Sequence, residues 1–110
     1  MKIIFRCDAS KDIGLGHLIR CLSVGDCIDI NNEITYALNS DNVAQELITD
    51  HYKTIYKDKK ESEMDFVLRV CNQIKPNVVV IDKKYNYKKE DFLKLKENKV
   101  KYRIFEYILR

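Results

Sequence analysis

Residues 77–82 read Asn77-Val78-Val79-Val80-Ile81-Asp82. Four β-branched residues in a row with no polar alternation predict a strand buried on both faces, the condition of a strand inside a parallel sheet. Parallel neighbours need crossover segments, and the flanking sequence supplies them. Upstream, Ser62-x-x-Asp65 resembles a capping box that opens a helix with Val67, Leu68, Cys71 and Ile74 on its buried face, and Pro76 ends it. Downstream, a Lys-rich helix over 88–98 leads to a last strand, Val100 to Phe105.

The same alternation runs back to the amino terminus. Ile3-Ile4-Phe5-Arg6-Cys7 predicts a strand that stops at the polar run Asp8-Ala9-Ser10-Lys11-Asp12, ahead of two glycines. From His17, the positions Leu18, Cys21, Leu22, Gly25 and Ile28 form one stripe of a helix ending near Asn31-Asn32. Ile34 to Leu38 is a further strand. Ser40 suits the cap of a helix with Val43, Ala44, Leu47 and Ile48 facing inward, and Lys53-Thr54-Ile55-Tyr56 is a short strand. Strands alternating with helices in this way define an α/β domain: a Rossmann-like, doubly wound, five-stranded parallel sheet spanning residues 1–110 as a single domain.

Composition agrees with a packed globular domain. Of the 110 residues, 45% are apolar and 34% charged, with three Gly and one Pro, which excludes disordered and collagen-like classes. The longest apolar run, Val78 to Ile81, is far below the roughly 18 residues of a membrane span, and Met1 to Arg6 lacks the apolar segment of a signal peptide; a cytoplasmic location is expected. Charge is uneven: residues 1–82 carry 10 basic and 13 acidic side chains, residues 83–110 carry 10 and 4. The basic tail overlaps a Lys-faced helix and a strand and contains no nucleic-acid motif, so neither nucleic acid nor membrane is an expected partner. Cys7, Cys21, Cys27 and Cys71 show no C-x-x-C spacing and are expected as small buried thiols in a reducing compartment.

In a doubly wound sheet, ligands bind beyond the carboxyl ends of the strands where strand order reverses, which directs attention to the segment from Asp8 to Gly16. Gly14 and Gly16 permit close backbone approach, and Gly16 stands where the helix begins, so free N–H groups and the positive helix end suit a phosphate or a developing oxyanion. Gly14-Leu15-Gly16 lacks the third glycine of a dinucleotide fingerprint and the Lys-Ser/Thr of a P-loop. His17, in the first helical turn, is the candidate general base, because the positive helix end favours the neutral ring that such a base requires. Asp8 suits either orienting that histidine, holding a substrate hydroxyl, or bonding N–H groups of its own turn. Arg6 and Arg20 are candidate anion partners, Arg20 equally a solvated helix residue. Asp82 ends the fourth strand on the same edge as Asp8, as a site residue or a cap.

Phe5-Arg6-x-Asp8-x-Ser10-x-x-Ile13-Gly14-x-Gly16-His17-x-x-Arg20 resembles the opening of the PseG/SpsG-type UDP-sugar hydrolases of pseudaminic and related nonulosonic acid synthesis. Val79-Val80-Ile81-Asp82-x-x-Tyr85 and the strand Val100 to Phe105 resemble that family in order and approximate spacing, with one residue more between Asp82 and Tyr85 than its commonest pattern. More distantly, the Gly-x-Gly-His turn is similar to that of the lipid II-forming N-acetylglucosaminyltransferases, which share the two-domain GT-B architecture.

The resemblance implies hydrolysis of UDP-2,4-diacetamido-2,4,6-trideoxy-β-L-altropyranose, with water attacking the anomeric carbon, inversion, and no cofactor or metal. It assigns His17 as base, Gly14 and Gly16 to the turn, and Asp8 and Tyr85 to the sugar site. It also implies that a carboxyl-terminal domain, or a companion chain, holds uridine and diphosphate, with these 110 residues as the amino-terminal half. Two other readings remain open at this point: a GT-B glycosyltransferase half-domain using the same turn, and a non-catalytic binding module presenting its basic tail or Ile108-Leu109.

Overall fold

A computed structural model describes residues 1–10, 16–40, 45, 48, 52–82 and 87–105. The chain forms β1 (Lys2–Arg6), α1 (Gly16–Ile28) continued by a 3-10 turn (Asp29–Asn31), β2 (Glu33–Leu38), β3 (Lys53–Tyr56), α2 (Glu63–Ile74), β4 (Val78–Ile81), α3 (Lys89–Glu97) and β5 (Tyr102–Ile104). All neighbouring strands pair in parallel, in the order β3-β2-β1-β4-β5. The expected α/β parallel sheet is therefore the observed fold. Most of the helix expected after Ser40, together with Gly14, Tyr85, Ile108 and Leu109, lies outside the described residues. Among the described residues no helix is long and apolar enough to cross a membrane.

The strands order themselves by burial. β1 and β4 are paired in the middle, Ile3 to Arg6 against Val78 to Ile81, and their apolar runs are covered on both faces. The pleat sorts them into two cores. Ile3, Phe5, Cys7, Tyr36, Leu38 and Val80 pack with Leu18 and Cys21 of α1, whereas Ile4, Ala37, Val79 and Ile81 pack with α2 and α3. The outer strands β3 and β5 are short and half-covered, which limits their exposed hydrogen-bonding edges.

Local chemistry sets the ends of the helices. Ser62 caps α2 by accepting the Asp65 N–H at 3.1 Å, as the Ser62-x-x-Asp65 spacing predicts, and the helix closes at Lys75 in the left-handed conformation, just before Pro76. The buried face of α2 differs from the expected stripe. Met64, Phe66, Val67, Val70 and Ile74 are buried, while Leu68 and Cys71 are only half-buried, because Phe66 turns inward beneath Arg6. Cys27 is exposed, contrary to expectation, since it lies off the buried stripe of α1 formed by Leu18, Cys21 and Gly25.

Candidate functional site

Strand order reverses between β1 and β4, and the residues leaving their carboxyl ends, Asp8 and Asp82, stand at that switch point. The Asp82 N–H donates to the Arg6 carbonyl at 2.9 Å, which extends the register of the two strands by one residue. Pleat parity then divides the expected site residues. Positions 78, 80 and 82 share the α1 face; positions 4 and 6 of β1 share the α2 face with 79 and 81.

On the α1 face, the first turns of the helix bring His17 and Arg20 to Asp82. His17 Nδ1 lies 3.1 Å from Asp82 Oδ2, and Arg20 Nη2 donates to Asp82 Oδ1 at 2.5 Å. Arg20 Nη2 also lies 3.3 Å from His17 Nδ1, but its short bond is to Oδ1, which leaves Oδ2 as the acceptor for an Nδ1–H. That tautomer leaves the lone pair on Nε2, the nitrogen a general base uses. The Asp82 side chain is 5% exposed and that of His17 36%, so the carboxylate is enclosed and the ring reaches solvent. Cys21 donates its thiol to Asp82 Oδ2 at 3.7 Å. A hydrogen bond with Cys7, then burial, then Asp82, hold the Cys21 thiol far above the usual range, so it stays a protonated donor. The Arg20 guanidinium lies 4.5 Å over the Phe105 ring, and its buried Nε has no hydrogen-bond partner among the described residues.

On the α2 face, Arg6 is wholly buried and fully committed to the protein. Its Nε and Nη2 fork onto Glu63 at 2.8 Å each, and Nη1 reaches Asp8 at 2.6 Å and the carbonyls of Cys7 at 2.8 Å and Ala37 at 3.2 Å. Burial opposes the Arg6 charge, but the Glu63 bonds and the Asp8 and Glu63 charges outweigh it, so the guanidinium is held even above its ordinary range. Tyr87 donates its hydroxyl to Glu63 Oε2 at 2.6 Å. Arg6, expected as an anion partner, thus holds two carboxylates of its own chain. The segment after β1 has a further clamp: Asn39 accepts the Ala9 N–H at 3.0 Å and donates to the Ala9 carbonyl at 2.9 Å.

Gly16 begins α1 exposed, and among the described residues nothing lies within 4 Å of where a Cβ would stand, so the helix start is approachable from that side. Gly14 and Tyr85 are outside the described residues. Three residues of this region escaped the sequence reading: Glu63, Tyr87 and Asn39. For Glu63 a signal was available, a carboxylate directly after a helix cap; Tyr87 and Asn39 carry none that separates them from ordinary polar surface.

The fold and site define an open parallel α/β protein with a His–Asp pair and an exposed helix start at its switch point. No family model matches the chain, and no solved structure matches it. An uncharacterized protein of Methanocaldococcus jannaschii is 31% identical to this chain over 85 residues. The match takes in 74% of this chain and 17% of the length of that protein.

Proposed function

We propose that the chain is the base-bearing amino-terminal domain of a UDP-sugar hydrolase of the PseG/SpsG type, with the GT-B arrangement. The observation that carries this reading is the His17–Asp82 contact at 3.1 Å beside the open start of α1. In it, His17 Nε2 takes a proton from water as the water oxygen bonds to the anomeric carbon. The bond from that carbon to the diphosphate oxygen breaks, its electron pair leaves with UDP, and attack from the opposite side inverts the centre. Asp82 stabilises the imidazolium that forms, and UDP, a good leaving group, requires no strong acid. Asp8, oriented by its bond from Arg6, accepts from a sugar hydroxyl or amide. A second domain or chain supplies the groups that hold uridine and diphosphate, and positioning by that partner accounts for a large share of the rate.

The test uses the protein at its full natural length with UDP-2,4-diacetamido-2,4,6-trideoxy-β-L-altropyranose in water enriched in oxygen-18. Expected are UDP release, one heavy oxygen at the anomeric carbon, and a loss of about 10²- to 10⁴-fold in kcat/KM for His17→Ala. Transfer of the glycosyl group to a sugar hydroxyl instead identifies a transferase. An unchanged rate in His17→Ala refutes the base assignment.

A further inference from the structure

We infer that Glu63 is a positioning residue for this site, tying together the two segments that leave β1 and β4 on either side of the switch point. The inference rests on the reading of that edge as a sugar-nucleotide site. Glu63 is the first residue of α2, directly after the Ser62 cap, where the positive helix end favours its negative charge. Among the described residues, its two oxygens receive three side-chain bonds. Arg6 Nη2 donates to Oε1, and both Arg6 Nε and the Tyr87 hydroxyl donate to Oε2.

The Arg6 bonds lead to one flank and the Tyr87 bond to the other. Through Arg6, whose Nη1 holds the Asp8 carboxylate and the Cys7 carbonyl, Glu63 sets the start of the segment that runs from β1 to Gly16 and His17. Through Tyr87 it sets the end of the segment that begins at Asp82 after β4. Both links are stiff. Arg6 lies 5.0 Å over the Phe66 ring with its side chain wholly buried, and the Tyr87 ring packs 5.4 Å from Phe92, itself 5.0 Å from Tyr102. Burial, then the Glu63 charge and bond, push the Tyr87 phenol well above its usual range, so it remains a donor. A buried ion pair kept for stability alone is replaceable by apolar packing. This one reaches from one flank of the switch point to the other, joining Asp8 to Tyr87 through the Arg6–Glu63 fork.

The experiment compares wild-type protein of full natural length with Tyr87→Phe, which deletes one hydroxyl and keeps the ring, and with Glu63→Gln, by amide correlation spectra and by kinetics with the same UDP-sugar. In Tyr87→Phe the amides of Cys7, Asp8 and Ala9 are expected to shift. KM is expected to rise about 5- to 10-fold while kcat changes less than about 3-fold, a coupling of ordinary size between linked sites. Amide shifts confined to residues around position 87, or a wild-type KM in an active Tyr87→Phe enzyme, overturn the inference. A wild-type protein that releases no UDP defeats the hydrolase reading alone, and the amide shifts then decide the positioning role. Should Glu63→Gln fail to fold, Tyr87→Phe carries both measurements.

Discussion

His17 and Asp82 meet across the gap between α1 and the end of β4, with Nδ1 3.1 Å from Oδ2 and the second carboxylate oxygen taken by Arg20. Asp82→Asn keeps the shape and removes the charge that stabilises an imidazolium. On the proposed hydrolase reading, the expected outcome is a fall of about 10²-fold in kcat with little change in KM, measured as UDP release. Stability should fall by about 1–2 kcal/mol, because Arg20 then faces a neutral amide, as urea melts would show.

Gly25 is where α1 lies directly against the Tyr36 and Ile34 side chains of β2. A Cβ there would overlap the Tyr36 hydroxyl and stand 3.1 Å from Tyr36 Cζ. Tyr36 has little freedom to withdraw, stacked 5.7 Å from Phe5 and edge-on 5.5 Å from Tyr52. Gly25→Ala is therefore expected to destabilise by about 1–3 kcal/mol, although alanine is the better helix former by about 1 kcal/mol. Tyr36→Phe in the same chain should restore part of the loss. Equal melting temperatures for wild type and Gly25→Ala would contradict the packing described.

Arg69 grips Glu61 at 2.8 and 3.0 Å, and that bond above all holds the Glu61 carboxyl below its usual range. A carboxyl depressed in the folded state adds stability that is complete above its unfolded value and disappears as pH falls through the folded one. Glu61→Gln is thus expected to cost about 0.5 kcal/mol at pH 7, as befits a pair near the surface, and the difference should narrow on going from pH 7 to about pH 3. Urea melts at the two pH values check it.

The four thiols differ in access. Cys27 is exposed, Cys7 and Cys21 are buried, and Cys71 is half-buried with its thiol pushed up to about 11 by burial. Iodoacetamide at about pH 8 is expected to label Cys27 first and Cys71 slowly, because the thiolate is the reactive form. Cys7 and Cys21 should react only on unfolding. Peptide mass spectrometry over time resolves the order.

Much of the fold was legible in the chain because strand and helix periods differ and each segment keeps one of them. The run Val78 to Ile81 announced a doubly covered strand, and Ser62 a helix start, through interactions within a few residues of each other. The buried face of α2 was less legible. Phe66 turns inward because a buried guanidinium from a strand 60 residues earlier needs a surface to lie on, and nothing near Phe66 in sequence announces that.

The candidate site divides the same way. Local sequence alone placed Asp8, His17 and Asp82 at strand or helix ends on one edge, since a parallel sheet aligns all its carboxyl ends. Which carboxylate serves the histidine, and that Arg6 turns to the opposite face to join Glu63 and Tyr87, was decided only when β1 paired with β4. Side chains alternate across a sheet, so a register fixed between distant strands determines which charges share a face, and that register is a property of the assembled sheet.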